Sequence, residues 1–94
     1  MARLTILTGA RRGQRFELSP SIVTIGRQVG NTLVLADESV ANQHLLLSVD
    51  PDGCRVKDRS GGGTAVNGAH ITTASLQEGD VLRIGVVELR YEVG

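Results

Sequence analysis

Short apolar runs, most of them alternating with polar residues, recur along this chain at intervals of roughly eight to twelve residues, the spacing of short strands joined by turns. In Val87-Glu88-Leu89-Arg90-Tyr91-Glu92-Val93 the odd positions are apolar and the even ones charged, the period-two pattern of a strand with one wet face. The same patterning predicts strands over Arg3–Thr8, Arg15–Ser19, Ile22–Gly26, Thr32–Leu35, His44–Val49, Cys54–Asp58, Thr64–Val66 and Val81–Ile84, with room for a short one near His70–Thr72. No window places apolar residues at i, i+3, i+4 and i+7 between caps, so no substantial helix is expected. The breaks carry turn chemistry. Asp50-Pro51-Asp52-Gly53 suits a tight hairpin, and Asn67-Gly68 is a type I′ signal. Together these features predict an all-β, two-layer sandwich occupying residues 1–94 as one domain, with no internal repeat or low-complexity linker.

Composition sharpens that picture. Twelve glycines fit many turns, and with Phe16 and Tyr91 as the only aromatics the core must be built from Leu, Val and Ile. Ten basic and ten acidic residues cancel, whereas a nucleic-acid binder usually carries a basic excess. The one dense basic cluster, Arg11, Arg12 and Arg15, reads as a solvated hairpin turn, with an anion or nucleic-acid site as the alternative. Cys54 is the sole cysteine, which rules out an internal disulfide and points to a space-filling role. The start MARLTILTG lacks a signal-peptide pattern, and no stretch approaches the apolar length of a membrane span. A cytoplasmic location is therefore expected.

Enzymes leave sharper traces than this sequence contains. His44 and His70 are the only histidines, and there is no HxxxH or GxSxG motif. Gly61-Gly62-Gly63-Thr64 lacks the lysine and following helix of a phosphate-binding P-loop. No catalysis, cofactor or metal is expected.

Three segments taken together are more specific: Ile25-Gly26-Arg27, then Asp37-Glu38-Ser39-Val40-Ala41-Asn42-Gln43-His44, then Asp58-Arg59-Ser60-Gly61-Gly62-Gly63-Thr64-Ala65-Val66-Asn67-Gly68. Their order and spacing, followed by Leu76-Gln77-Glu78-Gly79-Asp80-Val81-Leu82-Arg83-Ile84-Gly85, resemble the forkhead-associated (FHA) domain over the whole chain. That resemblance implies a two-sheet sandwich of about eleven strands that binds phosphothreonine peptides through loops at one end. It implies that Arg27, after Gly26, contacts phosphate, a task suited to the fixed donor fork of a guanidinium. It further implies that Asn42 holds peptide backbone, that His44 braces the loops, and that Thr64, Asn67 and Gly68 shape them.

The departures from the family pattern lie at the contacts. Ala41 stands where phosphate-binding members carry a serine, and Gly61 and Gly62 replace a Thr or Ser and an Asn. One hydrogen bond to a charged group contributes ~1.5–3 kcal/mol, so the missing serine alone implies a loss of roughly tenfold to a hundredfold in affinity. Ser39 and Ser60 are the candidate substitute hydroxyls, although Ser39 also suits a plain turn. The expectation is a monomeric protein-interaction module with weakened phosphate contacts, whose partner is a protein and neither nucleic acid nor membrane. Binding independent of phosphorylation is the alternative, and a purely architectural domain in a larger assembly is a further one.

Overall fold

Each of the nine segments predicted from patterning contains a strand in the computed structural model, which describes residues 2–18 and 21–94. Eleven strands occur among these residues: β1 (Ala2–Ile6), β2 (Arg15–Glu17), β3 (Ser21–Gly26), β4 (Leu33–Val34), β5 (Leu45–Asp50), β6 (Gly53–Asp58), β7 (Thr64–Val66), β8 (Ala69–His70), β9 (Thr73–Leu76), β10 (Val81–Ile84) and β11 (Val87–Val93). They form a six-stranded sheet, ordered β2-β1-β11-β10-β7-β8, and a five-stranded sheet, ordered β4-β3-β5-β6-β9. Neighbours pair antiparallel except β3 and β4, which run parallel. No helix forms among the described residues.

Alternation decides which side chains meet between the sheets. Leu4 and Ile6 of β1, Leu82 and Ile84 of β10, and Leu89 and Tyr91 of β11 point inward from one sheet. Val23 and Ile25 of β3, Leu45 and Leu47 of β5, and Cys54 and Val56 of β6 meet them from the other. A core of aliphatic residues with one phenol-bearing ring suffices because each fully buried Leu, Ile or Val contributes ~1.5–3 kcal/mol. Cys54 packs within this core, where burial, with a smaller push from Asp50, raises its thiol to about 11 and keeps it unreactive.

The differences from expectation lie in the weakest patterns. Only Leu33–Val34 of the predicted Thr32–Leu35 is strand, and β1 ends at Ile6, short of Thr8. The short strand expected near His70–Thr72 is instead two: β8 pairs with β7, and β9 pairs with β6 in the other sheet. β9 was not predicted, because Thr73-Ala74-Ser75 offers small, weakly contrasting side chains and only Leu76 is well buried. The predicted end of one strand at Ser19 lies outside the described residues.

Both predicted turns form. Asp50 pairs with Gly53 across Pro51-Asp52, and the Asp50 carboxylate accepts the Asp52 amide. Asn67 (φ 50°) and Gly68 (φ 86°) supply the two left-handed residues of a I′ hairpin. The cluster around Arg11 also acquires a structural role. Arg11 donates to the Val34 carbonyl at 2.7 Å, clasping the β1–β2 turn of one sheet to the β4 edge of the other. Arg12 and Arg15 remain exposed.

Candidate functional site

Backbone bonds draw three connections and one turn together at one end of the sandwich. The Arg27 amide donates to the Ala41 carbonyl (2.9 Å) and the Gln28 amide to the Asn42 carbonyl (3.3 Å), joining the β3–β4 and β4–β5 connections. The Gly85 amide of the β10–β11 turn donates to the Gly63 carbonyl (3.0 Å) of the β6–β7 connection. Gly26 permits this approach: a methyl group there would overlap the Asn42 carbonyl oxygen. Asn31 fastens the same junction, its side-chain amide donating to the Gln28 and Asn42 carbonyls.

His44 lies at the centre and is 1% exposed. Its Nδ1 accepts the Ala41 amide at 3.0 Å, and its Nε2 faces the Gly63 carbonyl at 3.0 Å. An amide can only donate and a carbonyl can only accept, so the ring is neutral with its hydrogen on Nε2. The residue's own amide donates to the Ile25 carbonyl, and its carbonyl accepts the Arg59 amide. One residue thus ties together β3, the β4–β5 connection and the β6–β7 connection, without free capacity for chemistry.

Asp58 organises the β6–β7 connection. Its Oδ1 accepts the Ser60 amide and hydroxyl and the Thr64 hydroxyl (3.1, 2.6 and 2.7 Å), and its Oδ2 accepts the Gly62 amide (2.8 Å). Ser60 Oγ in turn accepts the Gly63 amide at 2.7 Å. Partial burial pushes this carboxyl up, but the Ser60 and Thr64 hydroxyls and the two amides outweigh it and hold the group down at about 2. Asp37 and Ser39 repeat the motif: the Asp37 carboxylate accepts both the amide and the hydroxyl of Ser39. Ser39 Oγ then accepts the Val86 amide, fastening the β10–β11 turn. Both candidate hydroxyls are therefore already engaged within the loops.

Arg27 and Asn42 meet at the rim of this braced end. Both are exposed, and among the described residues the Arg27 guanidinium has no hydrogen bond or ion pair. Ala41 is half-buried beside them and offers only its methyl group. Gly61 and Gly62 are exposed on the β6–β7 connection. Thr64 is fully buried beneath that connection. Asn67 and Gly68 are not part of the cluster. They lie at the other end of β7, where Asn67 donates to Asp80 and accepts the Val81 amide, locking β7 to the start of β10.

Sequence reasoning missed Asp58 and Asn31 as organisers and Arg59 as a rim residue. A signal for the first was present: Asp-x-Ser occurs at Asp37-Glu38-Ser39 and again at Asp58-Arg59-Ser60, and an Asp accepting from the residue two ahead is a local turn device. Nothing local marks Asn31 or Arg59. Among the described residues no group of three His, Cys, Asp or Glu side chains is arranged to hold a metal ion.

A solved structure from work on phosphothreonine-dependent FHA domain interactions superposes with a TM-score of 0.90 at 27% identity, covering 99% of this chain and 96% of that one. The family model described as the inner membrane component of T3SS, cytoplasmic domain, matches residues 5–92. The chain belongs to this family of FHA-type domains. Two Mycobacterium tuberculosis proteins are similar to this FHA domain. The ABC transporter ATP-binding/permease protein Rv1747 is 39% identical over 79 residues, covering 83% of the domain and 9% of the transporter. The FHA domain-containing protein FhaB is 38% identical over 91 residues, covering 93% of the domain and 59% of FhaB. The chain spans less than two thirds of either relative. FHA homologues of this domain are phosphothreonine-binding interaction modules, and this domain is itself a non-enzymatic protein-interaction module. Among the described residues no helix is long and apolar enough to cross a membrane.

Proposed function

We propose that this FHA domain binds a phosphothreonine-bearing segment of a protein partner at the braced loop end, with Arg27 on the phosphate and Asn42 on the peptide backbone. The observation that carries the reading is Arg27 itself, exposed and unpartnered among the described residues, with its backbone pinned to Ala41 directly beside Asn42. A free guanidinium on a rigid base meets a phosphate dianion without first losing a protein partner, and such charge-assisted bonds are the strong ones. The affinity is lower than a full set of contacts would provide, because Ala41 offers no hydroxyl and Gly61 and Gly62 offer no side chain. Ser39 and Ser60 support the rim through their bonds to Asp37 and Asp58, and a contact from either to phosphate requires exchanging one of those bonds. The domain acts as a monomer on the cytoplasmic side, either in a free protein or as the cytoplasmic part of a membrane component.

Titration of a phosphothreonine peptide library and its unphosphorylated counterpart tests this directly. Preferential phosphopeptide binding that disappears in Arg27→Ala is the expected result, and equal binding of both libraries overturns it. Equal binding would instead favour phosphorylation-independent recognition. That second reading draws support from Ala41, Gly61 and Gly62, and from the engagement of both nearby serine hydroxyls.

A further inference from the structure

The two outer faces of the sandwich differ in charge. On the six-stranded sheet both signs interleave: Arg3 lies opposite Glu17 on one side and Glu92 on the other, and Arg83 lies opposite Glu88. The five-stranded sheet has no such balance. Arg55 and Lys57 alternate with buried Cys54 and Val56 along β6, and Arg59 continues the row because its amide extends the ladder onto the His44 carbonyl. All three cations are exposed, and among the described residues none makes a side-chain hydrogen bond or ion pair. Their cross-strand neighbours are uncharged: Leu46 and Thr73 flank Lys57, while Ser48 and Ser75 flank Arg55.

The row also has a direction. Beyond Arg55 it stops at the acidic Asp50–Asp52 turn, where Arg55, Asp50 and Asp52 line one shallow depression. At the other end Arg59 lines a cleft with Thr24, Gln28, Asn31 and Gln43, and Gln28 directly follows Arg27. Positive charge therefore runs unopposed from the middle of β6 to the rim where the phosphate contact is placed.

We infer that an acidic, extended stretch of the partner lies along Lys57 and Arg59, with Arg55 at its far end, flanking the phosphothreonine held by Arg27. The inference rests on the proposed phosphothreonine site for its anchor. Residues on one face of a strand repeat every ~6.5–7 Å, and the side chains on one face of an extended peptide repeat equally. Acidic residues at alternate positions thus match the row one to one. A single-stranded nucleic acid also presents regular charges, but it needs aromatic faces for stacking. The only two aromatics, Phe16 and Tyr91, are half-buried and buried in the other sheet. Anionic lipid recognition typically takes clusters of about four to eight cations, more than this row contains.

The test is a two-by-two titration of peptides with threonine or phosphothreonine, and with alternating glutamate or alternating serine on either side of it. The parent domain, Arg27→Ala and the triple variant Arg55→Ser, Lys57→Ser, Arg59→Ser are compared after their folding is matched by circular dichroism. Glutamates on one side should strengthen binding of the phosphopeptide by about fivefold or more at low ionic strength, an advantage that shrinks as salt rises. The triple variant should lose that advantage yet bind the serine-flanked phosphopeptide as the parent does. If glutamate gives no advantage while phosphopeptide binding persists, the inference fails and the proposed function stands. If no phosphopeptide binds but the glutamate peptide still requires the row, the phosphothreonine anchor fails and the acidic track stands alone. Equal, row-dependent binding of a poly-thymidine oligonucleotide or of phosphatidylserine vesicles would overturn the choice of an acidic peptide.

Discussion

Within the loop end, the layer that braces and the rim that would touch a partner are built to opposite standards. His44 and Asp58 use their polar atoms fully: both ring nitrogens are bonded, and the carboxylate accepts four donors. At the rim Arg27, Asn42 and Arg59 bring polar side chains, around an alanine and a glycine run. The bracing groups must be satisfied because a buried polar group without a partner costs ~1–3 kcal/mol of stability. Rim residues stand in water and carry no such penalty, so their chemistry varies freely while the scaffold remains intact. An intact signature in the bracing layer is thus evidence of the fold, and evidence of ligand chemistry must come from the rim.

Five measurements separate the two layers, beginning with the bracing side. His44→Ala removes two side-chain bonds from three connected segments and leaves a cavity, and should lower unfolding free energy by about 2–4 kcal/mol. Chemical denaturation reads this, and an unchanged midpoint would mean the brace is dispensable. Gly26→Ala should cost about 2–3 kcal/mol, because the added methyl overlaps the Asn42 carbonyl and forces two connections apart. The same denaturation assay checks it.

The rim should behave differently. Arg27→Ala should leave the denaturation midpoint nearly unchanged while weakening phosphopeptide binding by at least ~1.5 kcal/mol, or more than tenfold. A large stability loss instead would place Arg27 in the bracing layer. Ala41→Ser should strengthen phosphopeptide binding by up to about tenfold, measured calorimetrically. Adding Gly62→Asn should help less than the missing amide suggests. Space is open there, but φ is +121°, beyond the left-handed region that asparagine tolerates. A double variant that outperforms Ala41→Ser would show that the β6–β7 connection readjusts on binding.

The smallest effect returns to the brace. Asp58 has its carboxyl depressed from 3.8 to about 2, so its stabilisation is complete above pH 4 and is lost as pH falls through about 2. After allowance for solvent screening this amounts to roughly 1 kcal/mol. Denaturation at pH 5 and pH 2.5 should show a decline that Asp58→Asn removes. Equal slopes in the two proteins would assign the acid sensitivity to other groups.

Legibility followed the strength of each local signal. β11 could be read residue by residue because apolar and charged side chains alternate without a break, and the Asn67-Gly68 hairpin was legible because few dipeptides accept two positive φ angles. β9 was illegible for the converse reason. Its small polar residues are strand only because the exposed edge of β6 needs a partner. Arg27, Asn42 and His44 were nameable through a resemblance of motif and spacing, and the repeated Asp-x-Ser was a local signal that the Ser39 and Ser60 hydroxyls would be occupied.

By itself the sequence determined the all-β class and the approximate positions of nine strands. Each of these is a property of neighbouring residues and of period two. Tertiary structure decided which loops meet, that one imidazole joins three segments, and that Arg55 and Lys57 face uncharged cross-strand neighbours. These depend on pairings between residues far apart in the chain. Charge balance shows the contrast most clearly. Ten positive and ten negative residues sum to zero along the chain, and only folding onto two separate sheets gives one face interleaved signs and the other a basic row that ends at an acidic turn.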